Sequence, residues 1–293
     1  MYVSRHESVE VRWEMATRAA HPRLRGYVRE YTGYTETSAA PLCRLEVPSS
    51  DVTLILSPSS ELRMPDTSGA TREAARHTAF VAGLHDRYSL VEHGGFQEGV
   101  EVRLTPLGAH AFFGLPMHEL TNRVVELDEL LGSEAEELVG RMWARQGPEE
   151  RFGFLDSVIA AKAARARERS PEVAWAWQRL RATHGRARVR GLADELGWSQ
   201  RRLIARFREQ VGMPPKAIGR ILRFDRAARL LRNVEAPRLA EVAFDCGYYD
   251  QAHLNRDFRD FAGTTPARYL AQRLPDDGGV SVNSVQDEAA RAA

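Results

Sequence analysis

The stretch RLAEVAFDCGYYDQAHLNRDFRDFAGTTPARY, residues 238–269, reads as two short helices around a tight turn. Leu239, Val242 and Ala243 stand at i, i+3 and i+4, which makes one apolar helical face. Gly247 ends that helix, because the residue after a helix often takes a positive φ that only glycine adopts cheaply. Asp250 is a good N-cap for a second helix, in which Leu254, Phe258 and Phe261 repeat at i, i+4 and i+7. Gly263 and Pro266 mark its stop. The other face of this second helix carries Gln251, His253, Asn255 and Arg256. Hydrogen-bonding side chains on the first turns of a second helix are what a helix-turn-helix presents to base edges in a major groove. A solvated surface hairpin would look the same from one copy.

A second copy lies upstream. VRGLADELGWSQRRLIARFREQVG, residues 189–212, has Leu192, Ala193 and Leu196 on one face, Gly197 at the turn and Ser199 as N-cap. Leu203 and Phe207 follow Ser199 as Leu254 and Phe258 follow Asp250, and Gly212 matches Gly263. A repeat with a period of about 51 residues argues for a built unit rather than chance surface hairpins. Between the copies, PPKAIGRILRFDRAARLLRN opens near a helix start at Pro215 and places Ile218, Leu222, Ala228 and Leu231 at helical spacing. About 18 residues at ~1.5 Å each give roughly 27 Å, which with flanking turns approaches the ~34 Å between successive major-groove faces.

These residues resemble the AraC/XylS family of bacterial transcription regulators, whose DNA-binding domain joins two helix-turn-helix units by a long helix. The resemblance is carried by Ala193, Leu196, Gly197, Ser199, Leu203, Phe207, Gly212 and Pro214, by Arg223, Ala227 and Leu231, and by Ala243, Gly247, Tyr248, Asp250, Arg256, Phe258, Gly263, Thr265, Pro266 and Tyr269. It departs from the family at Leu254, where an aromatic is usual, and at Leu270, where an Arg often follows the Tyr. The resemblance implies a one-component regulator with promoter DNA as partner, and the lack of a signal peptide or membrane-length apolar run in the sequence makes the cytoplasm its expected location. The resemblance further implies a small-molecule effector, RNA polymerase and a second copy of the chain as candidate partners, and no cofactor.

Charge distribution agrees. The 293 residues carry a net charge near +1, but residues 171–275 hold 20 Lys and Arg against 11 Asp and Glu, leaving the remainder at −8. A basic half that coincides with the repeat is the footprint of a phosphate-binding surface. The opening residues MYVSRHESVEVRWEM are charged every few positions, so no signal peptide is expected, and no apolar run is long enough to span a membrane. Cys43 and Cys246 lie far apart, which argues against a disulfide or a cysteine-rich zinc site.

Residues 1 to about 115 read as mostly β: the segments 43–47, 52–57, 79–84, 88–91 and 100–104 are short, β-branched or alternating. The polar stretch SSELRMPDTSGATREAARHT between strands reads as a long loop. Short strands with frequent turns suit a small barrel or sandwich. Helix follows: a short turn at TPLGAHAFFG, Pro116 at the first position of PMHELTN, a helix over 133–145 with Ser133 and Glu136 as a capping box, and another from about Pro148 to Arg167. The paired helices either close a core or offer a dimerisation surface. By resemblance the β region is cupin-like and serves effector binding and dimerisation. The expected fold class is therefore α+β in two domains: an N-terminal cupin-like β barrel or sandwich with its helices over residues 1–165 (β region 1–115, helices 116–165), and an all-α double helix-turn-helix domain over residues 171–275. A linker at 163–170 and a disordered tail at 276–293 complete the division. Trp175 and Trp177 read as packing residues.

For recognition, Gln200, Arg201, Arg202, Ala205 and Arg206 form the exposed start of the first recognition helix, and Gln251, His253, Asn255 and Arg256 that of the second. Arg pairs with guanine, Gln and Asn with adenine, and a small apolar side chain meets a thymine methyl. By resemblance, Arg201 and Ala205 occupy base-facing positions. Gln200, Arg202 and Arg206 equally suit phosphates, and His253 suits a base or a phosphate.

Enzymatic readings are weaker. His85, Glu92, His93, Glu98 and His110 lack the His-x-His pair with a following Glu that enzymatic cupins use, so no metal is expected. DNA-repair methyltransferases with a similar helix-turn-helix domain need more cysteines than two. No phosphate loop, dinucleotide fingerprint or nucleophile elbow is present. The alternative to a ligand sensor is a DNA-binding protein whose β region is a protein-interaction module. An apolar pocket in the barrel would favour the sensor, and a barrel filled by its own side chains the module.

Overall fold

The structure is a computed structural model that describes residues 1–58, 60–64, 75–166, 170–233 and 238–271. The expected linker at 163–170 falls partly outside these residues, and the expected tail wholly so.

The chain opens with β1 (Tyr2–Glu7), β2 (Val11–Ala19), β3 (Val28–Ser38), β4 (Leu42–Glu46), β5 (Val52–Leu56), β6 (Leu62–Met64), β7 (Ala75–His77), β8 (Ala79–Ala82), β9 (Ser89–His93) and β10 (Phe96–Leu104). Helix α1 (Pro106–Phe113), strand β11 (Val124–Glu126) and helices α2 (Leu127–Leu131), α3 (Ser133–Trp143) and α4 (Gly147–Arg165) follow. The strands form a seven-stranded sheet in the order β1-β2-β3-β10-β5-β8-β11 and a four-stranded sheet in the order β4-β9-β6-β7, antiparallel at every pairing given.

Register decides which way each side chain of the larger sheet points, because alternate residues face opposite sides. On β10, Val100, Val102 and Leu104 pair with Leu56, Leu54 and Val52 of β5, and all six are buried in the main core. That core continues into the helices, where Phe152 of α4 stacks on Tyr31 of β3 with ring centroids 5.5 Å apart. The opposite face carries Gln97, Gly99, Glu101 and Arg103 of β10 beside Glu36, Tyr34, Thr32 and Glu30 of β3. Gly99 makes room there, since a Cβ at that position would run into the Tyr34 hydroxyl. The sheet thus turns its apolar face outward to helices and its polar face inward to the second sheet.

Three local expectations differ. The ends of SSELRMPDTSGATREAARHT pair as β6 and β7, a hairpin whose strands are too short to show a period; residues 65–74 lie outside the described residues. Ser133 is already inside α3, with Gly132 at φ 58° before it and no side-chain cap, so the capping box does not form. Pro116 is the residue before a 3-10 turn at Met117–Glu119 rather than its first position.

The helical part comprises α5 (Pro171–Ala182), α6 (Val189–Glu195), α7 (Gln200–Val211), α8 (Pro215–Asn233), α9 (Leu239–Asp245), α10 (Gln251–Ala262) and α11 (Pro266–Ala271). The second helix of the repeat stops as expected, with Gly263 as its left-handed C-cap, and Pro266 starts a further helix, as proline at the first helical position can. Val173, Trp177 and Leu180 of α5 are buried, and Trp175 packs partly buried against them, as expected of packing residues. The fold class is α+β with a strand-rich part followed by a helical part. Where they meet, Gly212 at the end of α7 rests on the 3-10 turn: its carbonyl accepts from Thr121 Oγ1 at 3.1 Å. Gly263 faces the ring of Tyr88.

Candidate nucleic-acid interface and barrel cavity

Both helix-turn-helix units are built by the same local chemistry. Gly197 and Gly247 take φ of 63° and 79° at the turns, where any residue with a Cβ would be strained. Ser199 Oγ accepts from Arg202 N at 3.2 Å, and Asp250 Oδ1 accepts from His253 N at 2.7 Å, capping α7 and α10. Leu203 and Phe207 in the first unit, and Leu254 and Phe258 in the second, are fully buried. Phe258 packs edge-on against Phe224 of α8 at 4.8 Å, which ties the second unit to the connecting helix. Arg220 of α8 adds ion pairs to Asp257 at 2.6 Å and Asp260 at 2.7 Å.

These anchors leave the opposite faces open. Gln200, Arg201, Arg202, Ala205 and Arg206 are all exposed at the start of α7. Arg202 lies over the Trp198 ring at 4.2 Å, and Arg206 is paired with Glu209 at 2.7 Å. Arg201 has neither kind of partner among the described residues. On α10, Gln251 and Arg256 are exposed, while His253 is half-buried with its ring edge-on to Tyr248. Asn255 is half-buried and its Oδ1 has no hydrogen-bond partner. Beside the second turn lies an open groove that the sequence did not single out, lined by Arg186, Arg223, Arg226, Tyr249 and His253 among others. Arg186 donates to the Asp245 carbonyl and so reaches from before the first unit to the second. Tyr249 is 93% exposed, which a core aromatic would not be. The visible signal was a run of arginines outside the recognition helices.

The second feature is a cavity of about 480 Å³ between the two sheets. Arg103 bridges Glu30 and Asp51 at 2.7 Å each, and Arg29 Nε reaches Asp51 at 2.7 Å. Deeper in, Glu36 is held by Arg44, by Gln97 and by His93 Nε2 at 3.3 Å. Burial alone would raise the Glu36 carboxyl, but His93 and Arg44 keep it below its usual range. Glu101 has no such answer: burial pushes its carboxyl up to about 7, with Arg103 opposing and Glu46, Glu30 and Asp51 adding. Asp225 and Ala228 of α8 line the same cavity, so the helix that joins the two units also borders it.

Among the described residues, no group of three or more His, Cys, Asp or Glu stands where it could hold a metal, and Cys43 and Cys246 are free thiols. None of the helices described is long and apolar enough to cross a membrane.

Two families match the chain: a helix-turn-helix domain over residues 192–272 and a domain of unknown function (DUF6597) over residues 16–126. No curated protein matches it. Among solved structures, the DNA-binding domain of AdpA, a global transcriptional factor solved in complex with a target DNA, is 31% identical; the match covers 35% of this chain and 92% of that one, with TM-score 0.32. The C-terminal domain of AraT, a response regulator from Geobacillus stearothermophilus, is 24% identical over 38% of this chain and 93% of that one, with TM-score 0.35. ToxT from Vibrio cholerae is 10% identical over 89% of this chain and 98% of that one, with TM-score 0.47. The paired, capped helix-turn-helix units and the matched helix-turn-helix family converge on the reading that the repeat suggested, and the chain belongs to the AraC/XylS family of DNA-binding transcription regulators.

Proposed function

We propose that one chain reads two successive major-groove faces of promoter DNA in the cytoplasm and that the barrel cavity holds a small-molecule effector. The observation that supports the first part is the pairing of two capped recognition helices through α8, a single helix of 19 residues. At ~1.5 Å per residue it is about 28 Å long, close to the ~34 Å between groove faces. Arg201 and Ala205 read bases from α7, and Gln251, Asn255 and Arg256 from α10. Gln200, Arg202, Arg206 and His253 hold the backbone, helped by Arg186 and Arg226.

The cavity is lined by charged as well as apolar side chains, not by apolar ones alone as the sensor expectation had it, but it supports the sensor over a pure interaction module because a barrel filled by its own side chains would leave no such space. Its contact with α8 gives an effector a route to the spacing of the two readers. An effector that binds the two arrangements unequally would shift the population between them. RNA polymerase and a second copy of the chain complete the proposed partners.

The test is a selection of genomic fragments by the purified protein. A shared motif with two half-sites about one helical turn apart supports the paired reading. Binding without a motif, falling steeply with salt on every fragment, would reduce the helical part to a phosphate binder.

A further inference from the structure

The effector reading just given leaves the ligand's chemistry open, and the inference here rests on that reading. Six acids line the cavity (Glu30, Glu36, Glu46, Asp51, Glu101 and Asp225) against three arginines, Arg44, Arg87 and Arg103. Most of the acids are spoken for. Glu36 has Arg44 and His93, Glu30 and Asp51 share Arg103, and Asp225 has Arg229 at 3.1 Å. Glu101 has no hydrogen bond or ion pair among the described residues. Next to it lies an apolar wall, the separate cluster of Ile55, Leu62 and Phe80 with Met64 and Val91 packed on it. Ile55 is the register partner of Glu101 on β5, so the acid and the wall begin side by side.

We propose that the cavity binds a small amphipathic amine, its protonated nitrogen paired with Glu101 and its apolar body laid on Ile55, Leu62 and Phe80. An anion would add a like charge to an acidic space. A neutral polyol would leave Glu101 desolvated without a counter-charge and the apolar wall unfilled. The raised Glu101 carboxyl fits the same picture, since a bound cation supplies what a proton otherwise supplies. The titratable groups that face Glu101 are Arg103 on its own strand, Glu30 and the neutral Tyr34 phenol on β3, Glu46 on β4 and Asp51 ahead of β5. Binding therefore strengthens as pH rises from 6 to 8, while the amine stays protonated.

Calorimetric titration of the full chain with three probes of matched size, phenethylamine, 2-phenylethanol and phenylacetate, tests this. Phenethylamine is expected to bind at least about tenfold more tightly than either isostere, and Glu101→Gln to weaken it about tenfold with the far-UV spectrum unchanged. Glu101→Asp is expected to retain the preference for the amine. If the alcohol or the acid binds as well as the amine, or if Glu101→Gln binds the amine undiminished, the cavity remains a ligand site and the cation assignment falls. If none of the three binds, the assignment falls together with the effector reading. The comparison of isosteres on the unaltered protein stands even if Glu101→Gln fails to fold.

Discussion

At the scale of single residues, Arg201 and Glu101 carry the sharpest consequences. Three arginines open the first recognition helix, yet Arg202 is stacked on Trp198 and Arg206 is paired with Glu209, which leaves the Arg201 guanidinium open to a guanine edge. Arg201→Ala should cost about 1–3 kcal/mol on the cognate site and relax specificity at one base pair, with scrambled DNA little affected. Equal losses on cognate and scrambled DNA in a fluorescence titration would move Arg201 to the backbone contacts. Glu101 makes a prediction about stability. Its carboxyl sits near 7 in the folded chain against 4.5 for the free group, so the folded state holds the proton more firmly. That contribution is complete below pH 4.5 and is lost as pH rises through 7. Glu101→Gln should therefore be more stable than the parent by about 1–3 kcal/mol at about pH 8 and nearly equal to it at about pH 4. Urea unfolding at the two pH values measures this, and a gain that does not depend on pH would show that ionisation is not its source.

Among the elements, those with local punctuation were the legible ones. Ser199 and Asp250 cap their helices, Gly197 and Gly247 turn them, and the buried spacing of Leu203 with Phe207 and of Leu254 with Phe258 is the spacing the sequence displays. Asp250→Ala removes the side chain that accepts from His253 N, at a cost of about 1 kcal/mol and roughly 2–4 °C in the melting temperature. A thermal melt unchanged by that substitution would mean that the cap adds nothing to the packing of Phe258 on Phe224. Strands β1, β2 and β3 were not picked out individually, for a physical reason. Strand β3 turns Glu30, Thr32, Tyr34 and Glu36 into the cavity, and Glu36 is almost fully buried. Alternation marks two faces but not which face meets water, and here the polar face is the inner one. For the same reason the cavity acids were invisible as a site: Glu101 and Arg103 in VEVRL look like the solvent side of an ordinary strand. Long-range pairing, not local sequence, brings Glu101 to the apolar wall.

For the molecule as a whole, α8 is the part that joins the two helix-turn-helix units and also reaches the cavity. It buries Ile218, Ile221, Phe224, Ala227 and Leu231 along one helix and borders the cavity with Asp225 and Ala228. A continuous packed helix fixes the separation of the readers in a way that a flexible linker would not. This rigidity makes a prediction about DNA in which the two half-sites are moved apart. Inserting five base pairs puts the second half-site on the opposite side of the duplex, and binding should fall by about tenfold or more, because even one lost base-pair contact is worth ~1–3 kcal/mol. Inserting ten restores the face but adds about 34 Å of separation. A tethered pair of readers would recover most of its affinity on that site, whereas readers held by α8 cannot stretch to it and should stay as weak as on the five-base insertion. Recovery at ten base pairs in a gel-shift series would show that the readers move independently. An effector in the cavity would then have to reach the DNA through contacts between the strand-rich and helical parts, such as that between Gly212 and Thr121 or that between Gly263 and Tyr88. Persistent loss at both spacings would mean that α8 holds the two readers at one fixed separation.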